Sequence, residues 1–253
     1  MGADIYHGLL FGRFPFFAFP IAVGFVLYPV SKEQKMEKLD HHSLFFRTDH
    51  HWKGEAGLWA ARHILEYLKQ QYGYRVEPEK LNDDQFTSVL YPSCFLGSRG
   101  KKVTLSVTSP DDFTLLYPIY DTEMHFSIPD KEIDLEGDFS VVYDLSRVGT
   151  IDYYETNAYG AYMYGDNALA RFENRLSDND LRLLFIHDSF GDCVLPFVSL
   201  GIRYVDSLDL RHFTGSVQAF IDETKPDAVI VLYNPSVIPA SIESGHKSTF
   251  DYR

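Results

Sequence analysis

The chain has 253 residues, 45% of them hydrophobic and 23% charged, with a formal charge of −13. That length and mix suit one globular domain over residues 1–253 with a sizeable core, not a disordered or fibrous chain. An acidic surface whose longest basic run is Lys101-Lys102 repels phosphate backbones and anionic lipid, which argues against a nucleic-acid partner.

Taken in chain order, Phe14 to Val30 is uncharged across 17 residues. A membrane helix needs about 20 apolar residues, and this run is broken by Pro15, Pro20 and Pro29. It reads better as a buried strand over Ile21 to Tyr28. The start "MGADIYHG" has no basic region of the kind that opens a signal peptide. "RTDHHWKGEAG" follows, and then Ala56, Ala60, Ile64 and Leu68 recur on one face of a helix that Gly73 would end. "KVTLSV" and "FTLLYP" read as strands, "DLEGDFSVVYD" holds another, and the Tyr/Gly-rich stretch Tyr153 to Tyr164 reads as a loop or lid.

The last third is the most regular. Leu181 to Ile186, Ile202 to Ser207 and Ala228 to Tyr233 are short apolar runs suited to strands buried on both faces. Between them, Cys193 to Gly201 and the "GSVQAFIDETKPD" segment read as helices, the second stopping before Pro226. Strand-helix-strand-helix-strand implies parallel strands with right-handed crossovers. The expected fold class is therefore α/β: three layers, a mostly parallel sheet flanked by helices.

Cys94 and Cys193 are the two cysteines. They form neither a disulfide framework nor a zinc pair, and sequence alone leaves their bonding open.

Two stretches carry chemistry. In open parallel sheets ligands sit beyond the carboxyl ends of the strands. Ser189, in "HDSFGD", follows such a strand, at a turn where free N–H groups of the next helix would stabilise an oxyanion. A hydroxyl there suits a nucleophile, and equally a helix cap by Asp188 or Ser189. A serine nucleophile needs a base. In an extended segment Asp49 and His51 share one side and His50 lies on the other, so the carboxylate would orient the imidazole. Trp52 would then pack on the ring or on substrate. Helix capping by Thr48 or Asp49 is the plainer alternative. A metal held by Asp49, His50 and His51 is a third, since "DHH" also occurs at Asp40-His41-His42 and His/Asp clusters suit zinc or manganese, but the spacing fits no metal motif.

Together, "RTDHHW" with "GEAG", "LLFIHDSFGDCVLPFVSL", "YVDSLDLRHF" and "KPDAVIVLYNPS" resemble the DHHW proteins, as do "FLGSRGKK" and "GDNALARFENR". These are related to the alginate O-acetyltransferase-like branch of the SGNH (GDSL-type) hydrolase superfamily, in which Asp-x-His precedes the serine. The resemblance spans Phe45 to Ser236. It implies a single SGNH-like (flavodoxin-like) domain with nucleophile Ser189, base His51 and orienting Asp49. It also implies Arg211 and Asn234 beside the site, and Gly97 lending a backbone N–H. The implied activity is a serine esterase or O-acetyltransferase on carbohydrate or polysaccharide carrying O-acetyl groups, with no cofactor and no metal, in an extracytoplasmic setting: secreted, or in a membrane-anchored or cell-envelope context. A non-catalytic carbohydrate-binding or scaffold domain on the same fold is the alternative. Family members usually carry a longer segment between the first strand and "TDHHW"; here only Ser31 to Leu44 intervene.

Overall fold

A computed structural model describes residues 41–234, together with the backbone of a two-residue strand at 21–22. Apart from those two positions, the apolar run Phe14 to Val30 lies outside the described residues, as does the Asp40 of the second "DHH".

The strands are β1 (Ile21–Ala22), β2 (Phe86–Phe95), β3 (Asp111–Pro118), β4 (Met124–Ile128), β5 (Ile133–Gly137), β6 (Leu169–Asn174), β7 (Arg182–His187), β8 (Tyr204–Asp209) and β9 (Ala228–Leu232). The helices are α1 (Gly54–Tyr72), α2 (Ser98–Val103), α3 (Leu195–Val198) and α4 (Val217–Thr224). The main sheet has the order β1-β9-β7-β8-β6-β4-β5, and β2 pairs with β3 as a separate antiparallel hairpin.

The C-terminal third folds largely as its sequence pattern predicts, except that the helix expected over Cys193 to Gly201 is only the four-residue α3. β7 lies between β9 and β8, parallel to both. Successive residues of β7 point to opposite faces. Leu183 and Phe185 join the core beneath α1 and α3, while Leu184 and Ile186 join the core beneath Val217, Phe220 and Ile221 of α4. Both faces are thus covered, which gives three layers.

The sheet is mixed, however, not mostly parallel. β6 runs antiparallel to β8, β4 to β6 and β5 to β4. The reason is the length of the β4–β5 connection. Only Pro129–Lys131 and Glu132 separate the two strands, far short of the dozen or more residues that a parallel crossover needs. The burial of β4 alternates residue by residue, with Met124, Phe126 and Ile128 inside. That is the pattern of an antiparallel strand with one face toward solvent.

One smaller expectation also fails. "KVTLSV" is the last turn of α2 followed by a turn, because Thr104 adopts φ 65° and its N–H closes back on the Gly100 carbonyl. The Tyr/Gly-rich stretch is a loop, as expected, although Ala158–Ala161 within it form a buried 3-10 turn in the core. Among the described residues no helix is long and apolar enough to cross a membrane.

α1 obeys the sequence reading. Ala56, Ala60, Ile64 and Leu68 are buried, and Gly73 ends the helix at φ 68°, its N–H closing on the Lys69 carbonyl. The donor to the Leu68 carbonyl is the Tyr74 N–H, and such a left-handed stop favours glycine. Gly57 serves packing instead: a Cβ there would lie 2.1 Å from the Cys193 carbonyl oxygen. Glycine lets α1 press against the chain that follows the β7 turn.

Candidate active site

The register puts the ends of three parallel strands side by side. His187 of β7 pairs with Asp209 of β8 and with Leu232 of β9. The chain leaves β7 into a turn, and Asp188 ties that turn together. One oxygen of its buried carboxyl accepts from the Phe190 N–H at 3.0 Å, the other from the Asn234 N–H at 2.7 Å. Ser189 stands at the crest of this turn, half-buried.

The second half of the site comes from 140 residues earlier in the sequence. An antiparallel bridge between Phe45 and Trp52 closes a loop over residues 46–51. Thr48 pins the loop. Its N–H and hydroxyl donate to Asp111 Oδ2, and its hydroxyl accepts from the Gly97 N–H. Its carbonyl also accepts from the N–H groups of Arg99 and Gly100 at the start of α2.

The segment bends here and is not extended. Asp49 Oδ1 accepts from the His51 backbone N–H at 3.0 Å and meets His51 Nδ1 at 2.5 Å. The i, i+2 neighbourhood expected from an extended strand is therefore reached by an Asx-type turn. The bend also removes the expected separation of the two imidazoles. The His50 and His51 rings lie 3.9 Å apart between centroids, and His50 Nδ1 is 3.3 Å from Asp49 Oδ1.

The two halves meet. His51 Nε2 is 2.8 Å from Ser189 Oγ. A continuous hydrogen-bond chain thus runs from the Ser189 hydroxyl through the His51 ring to the Asp49 carboxylate. Nδ1 carries the hydrogen toward the carboxylate, which leaves Nε2 as the acceptor for the hydroxyl. Tyr159 stacks on His51 with ring centroids 4.1 Å apart at 20°, and its hydroxyl donates to the Ser189 carbonyl at 2.8 Å.

Burial alone would raise the pKa of Asp49. The hydrogen bonds from His51 and from the Ser98 N–H, at 2.6 Å, outweigh it and hold the carboxyl well below the usual carboxylate range. Asp49 is therefore ionised. Burial pushes His50 below the ordinary imidazole range, and the neighbouring His51 adds to that. The buried Asp188 is shifted the other way, upward, by desolvation.

The remaining sequence-predicted residues fare differently. Trp52 is buried and packs edge-on against Phe190 at 5.5 Å, so it braces the Ser189 turn from within and presents no surface to substrate. The N–H of Gly97 is spent on Thr48, so it is no donor to a reacting oxygen. Its missing side chain is what counts, because a Cβ would sit 2.3 Å from Asp49 Cβ and 2.4 Å from Oδ2. Arg211 is held by carboxylates: Nε lies 3.0 Å from both oxygens of Asp209, and a terminal nitrogen 2.7 Å from Asp166. Among the described residues no contact joins Arg211 to Ser189, His51 or Asp49. Asn234 does reach the same edge as Ser189, through its backbone bond to Asp188. The helix after the turn is no oxyanion donor, since α3 begins only at Leu195.

Sequence reasoning missed Ser98, Tyr159 and the anchoring role of Thr48. The threonine stands in the "TDHHW" string, but its partner Asp111 is 63 residues away. Tyr159 was hidden in a segment whose composition suggests a loop.

The ligand atoms of Asp49, His50 and His51 lie within 4.8 Å of one another, as do those of Asp166, Asp209 and His212. Two ligands of one tetrahedral zinc ion stand about 3.3 Å apart, given metal–ligand bonds near 2.0 Å. The 2.5 Å between Asp49 and His51 is a hydrogen-bond distance instead. In the second group the guanidinium of Arg211 already bridges Asp166 and Asp209.

A family model described as DHHW protein matches residues 30–206. No curated protein matches the sequence. Among solved structures, a DHHW family protein from Eubacterium siraeum is 18% identical with a TM-score of 0.57, the match covering 76% of this chain and 59% of that one. Bacillus cereus PatB1, in a structure with a sulfonyl adduct, is 19% identical with a TM-score of 0.64, covering 84% of this chain and 65% of that one. A second structure of Bacillus cereus PatB1 matches with a TM-score of 0.63. This chain therefore spans about three fifths to two thirds of the length of these solved relatives. The likeness is one of fold.

Proposed function

Since the chain belongs to the DHHW protein family, we propose that it is a serine-dependent esterase or O-acetyltransferase of the SGNH type, acting on O-acetylated carbohydrate at the cell envelope or outside the cell. The observation that carries this reading is the unbroken chain Ser189 Oγ–His51 Nε2, His51 Nδ1–Asp49 Oδ1, at 2.8 and 2.5 Å. Both distances suit a nucleophile, its base and the group that orients the base.

Ser189 Oγ attacks the carbonyl carbon of an acetyl ester while His51 Nε2 takes the hydroxyl proton. The buried, ionised Asp49 stabilises the imidazolium. The tetrahedral intermediate carries its negative charge on the former carbonyl oxygen. Within the turn 188–192 the N–H groups of Asp188, Phe190, Gly191 and Asp192 are already paired, and that of Ser189 has no partner among the described residues. It is the natural first donor to the oxyanion, with Asn234 as the second. Collapse of the intermediate breaks the ester bond, and His51 returns the proton to the departing alcohol. A water or a sugar hydroxyl then attacks the acetyl-serine by the same route, giving acetate or a newly acetylated sugar. A fold relative with a sulfonyl adduct is in keeping with a nucleophilic side chain on this scaffold.

The test is aryl-acetate turnover by the wild type and by Ser189→Ala. Loss of turnover in the variant is expected. Turnover at the wild-type rate by Ser189→Ala would end this reading. A folded wild type with no turnover on any acetyl ester would favour a binding domain.

A further inference from the structure

We infer that His187, the last residue of β7, is a positioning residue that sets the direction of the Ser189 N–H. This rests on the proposed role of Ser189 as nucleophile. His187 is buried, 1% exposed, and lies directly behind the turn. Its Nδ1 is 2.7 Å from the Asp188 carbonyl oxygen. A carbonyl only accepts, so Nδ1 carries the hydrogen. Its Nε2 is 2.6 Å from the hydroxyl of Ser207, which is itself buried in β8. The ring is thus fixed at both ends, one on the neighbouring strand and one on the turn.

The carbonyl that it holds belongs to the peptide unit whose other end is the Ser189 N–H. A peptide is planar and trans, so its C=O and N–H point in opposite directions. The Gly191 N–H donates to the same Asp188 oxygen at 2.8 Å. With the oxygen drawn inward by two donors, the Ser189 N–H is turned outward, toward the side where the nucleophile stands and where it has no partner among the described residues. Gly191 makes this packing possible, since a Cβ there would lie 2.4 Å from His187 Nδ1. Asp192, also buried, has a carboxyl oxygen 3.9 Å from the same nitrogen.

Asparagine and glutamine separate the two ends of the ring. The side-chain NH2 of His187→Asn reaches about where Nδ1 does and keeps the bond to Asp188. That of His187→Gln reaches about where Nε2 does and keeps only the contact with Ser207. Turnover of an aryl acetate is measured for both, with His187→Leu and Ser189→Ala alongside. Each rate is divided by the number of sites that a serine-reactive phosphonate titrates. Loss of one oxyanion donor costs about 10²–10³ in kcat; reorientation of one is expected to cost about 10- to 100-fold in His187→Leu and His187→Gln, with KM changed by less than about two-fold. His187→Asn is expected to recover most of it. A merely structural role would lower the number of titratable sites and leave the rate per site alone, and that result overturns the inference. So does His187→Gln matching or exceeding His187→Asn, a comparison that holds even if the leucine variant does not fold. Turnover surviving in Ser189→Ala would instead overturn the proposed function itself.

Discussion

Replacing Gly97 by alanine tests how tightly the orienting carboxylate is held. Gly97 has φ −70° and ψ 178°, which alanine adopts freely, so the backbone adds no penalty. The effect is steric. The new methyl would lie 2.3 Å from Asp49 Cβ, 2.4 Å from Oδ2 and 2.7 Å from Cγ. Carbon atoms in contact prefer about 3.5–4.0 Å, so one side must move by about 1 Å or more. Asp49 cannot move that far and keep its bonds to the Ser98 N–H, the His51 N–H and the His51 ring, at 2.6, 3.0 and 2.5 Å. Overpacking of this kind costs about 1–3 kcal/mol. A displacement of about 1 Å in a catalytic group costs about 10²-fold in rate. Gly97→Ala should therefore lose about 1–3 kcal/mol of stability in urea titration and about 10²-fold in aryl-acetate kcat, with KM little changed. Gly73→Ala is the control. It strains a residue at φ 68° with open space around it at the far end of α1, and should cost about 1 kcal/mol with kcat intact. Wild-type kcat in Gly97→Ala would refute the reasoning.

Asp49→Asn should lower kcat by about 10⁴-fold, because an amide no longer fixes the tautomer or stabilises the imidazolium. Its effect on stability depends on pH. The folded-state pKa of Asp49 is depressed, so its contribution is present above the unfolded value, about 3.9, and fades as pH falls below it. Urea titrations should show the gap between wild type and Asp49→Asn closing on acidification below about pH 4. Asp192 is the reverse case. Burial raises its pKa well above the ordinary value, so it favours folding at low pH and loses that as pH rises past about 4. Asp192→Asn should therefore be more stable than the wild type by about 1–3 kcal/mol near pH 8, a gap that vanishes near pH 4. Gly57→Ala drives a methyl against the Cys193 carbonyl, which cannot rotate away, and should lower the melting temperature by roughly 2–10 °C.

Local pattern carried the C-terminal third. Apolar runs, a glycine stop and a proline boundary were enough to place β7, β8, β9 and α4 to within two residues at most ends. The antiparallel half was harder, because β4 and β6 are short alternating segments among polar residues, and β2 buries little beyond Cys94 and Phe95. The Asp-x-His pair was legible, although its geometry comes from an Asx-type bend that alternation rules do not describe. What strings cannot carry is long-range closure: Thr48 to Asp111, Tyr159 over His51, Gly97 against Asp49. Each of those contacts spans 48 residues or more of chain, and its partner has an ordinary local role. Arg211 misled because its position beyond β8 is right, while its charge is matched by two aspartates close by.

The most direct measurement is intact-protein mass spectrometry after incubation with an aryl phosphonate at neutral pH, followed by peptide mapping, for the wild type and His51→Ala. One adduct per chain, carried by Ser189 and formed far more slowly in His51→Ala, is the predicted result. No adduct, labelling at some other residue, or equal labelling rates with and without the imidazole would contradict a serine activated by His51.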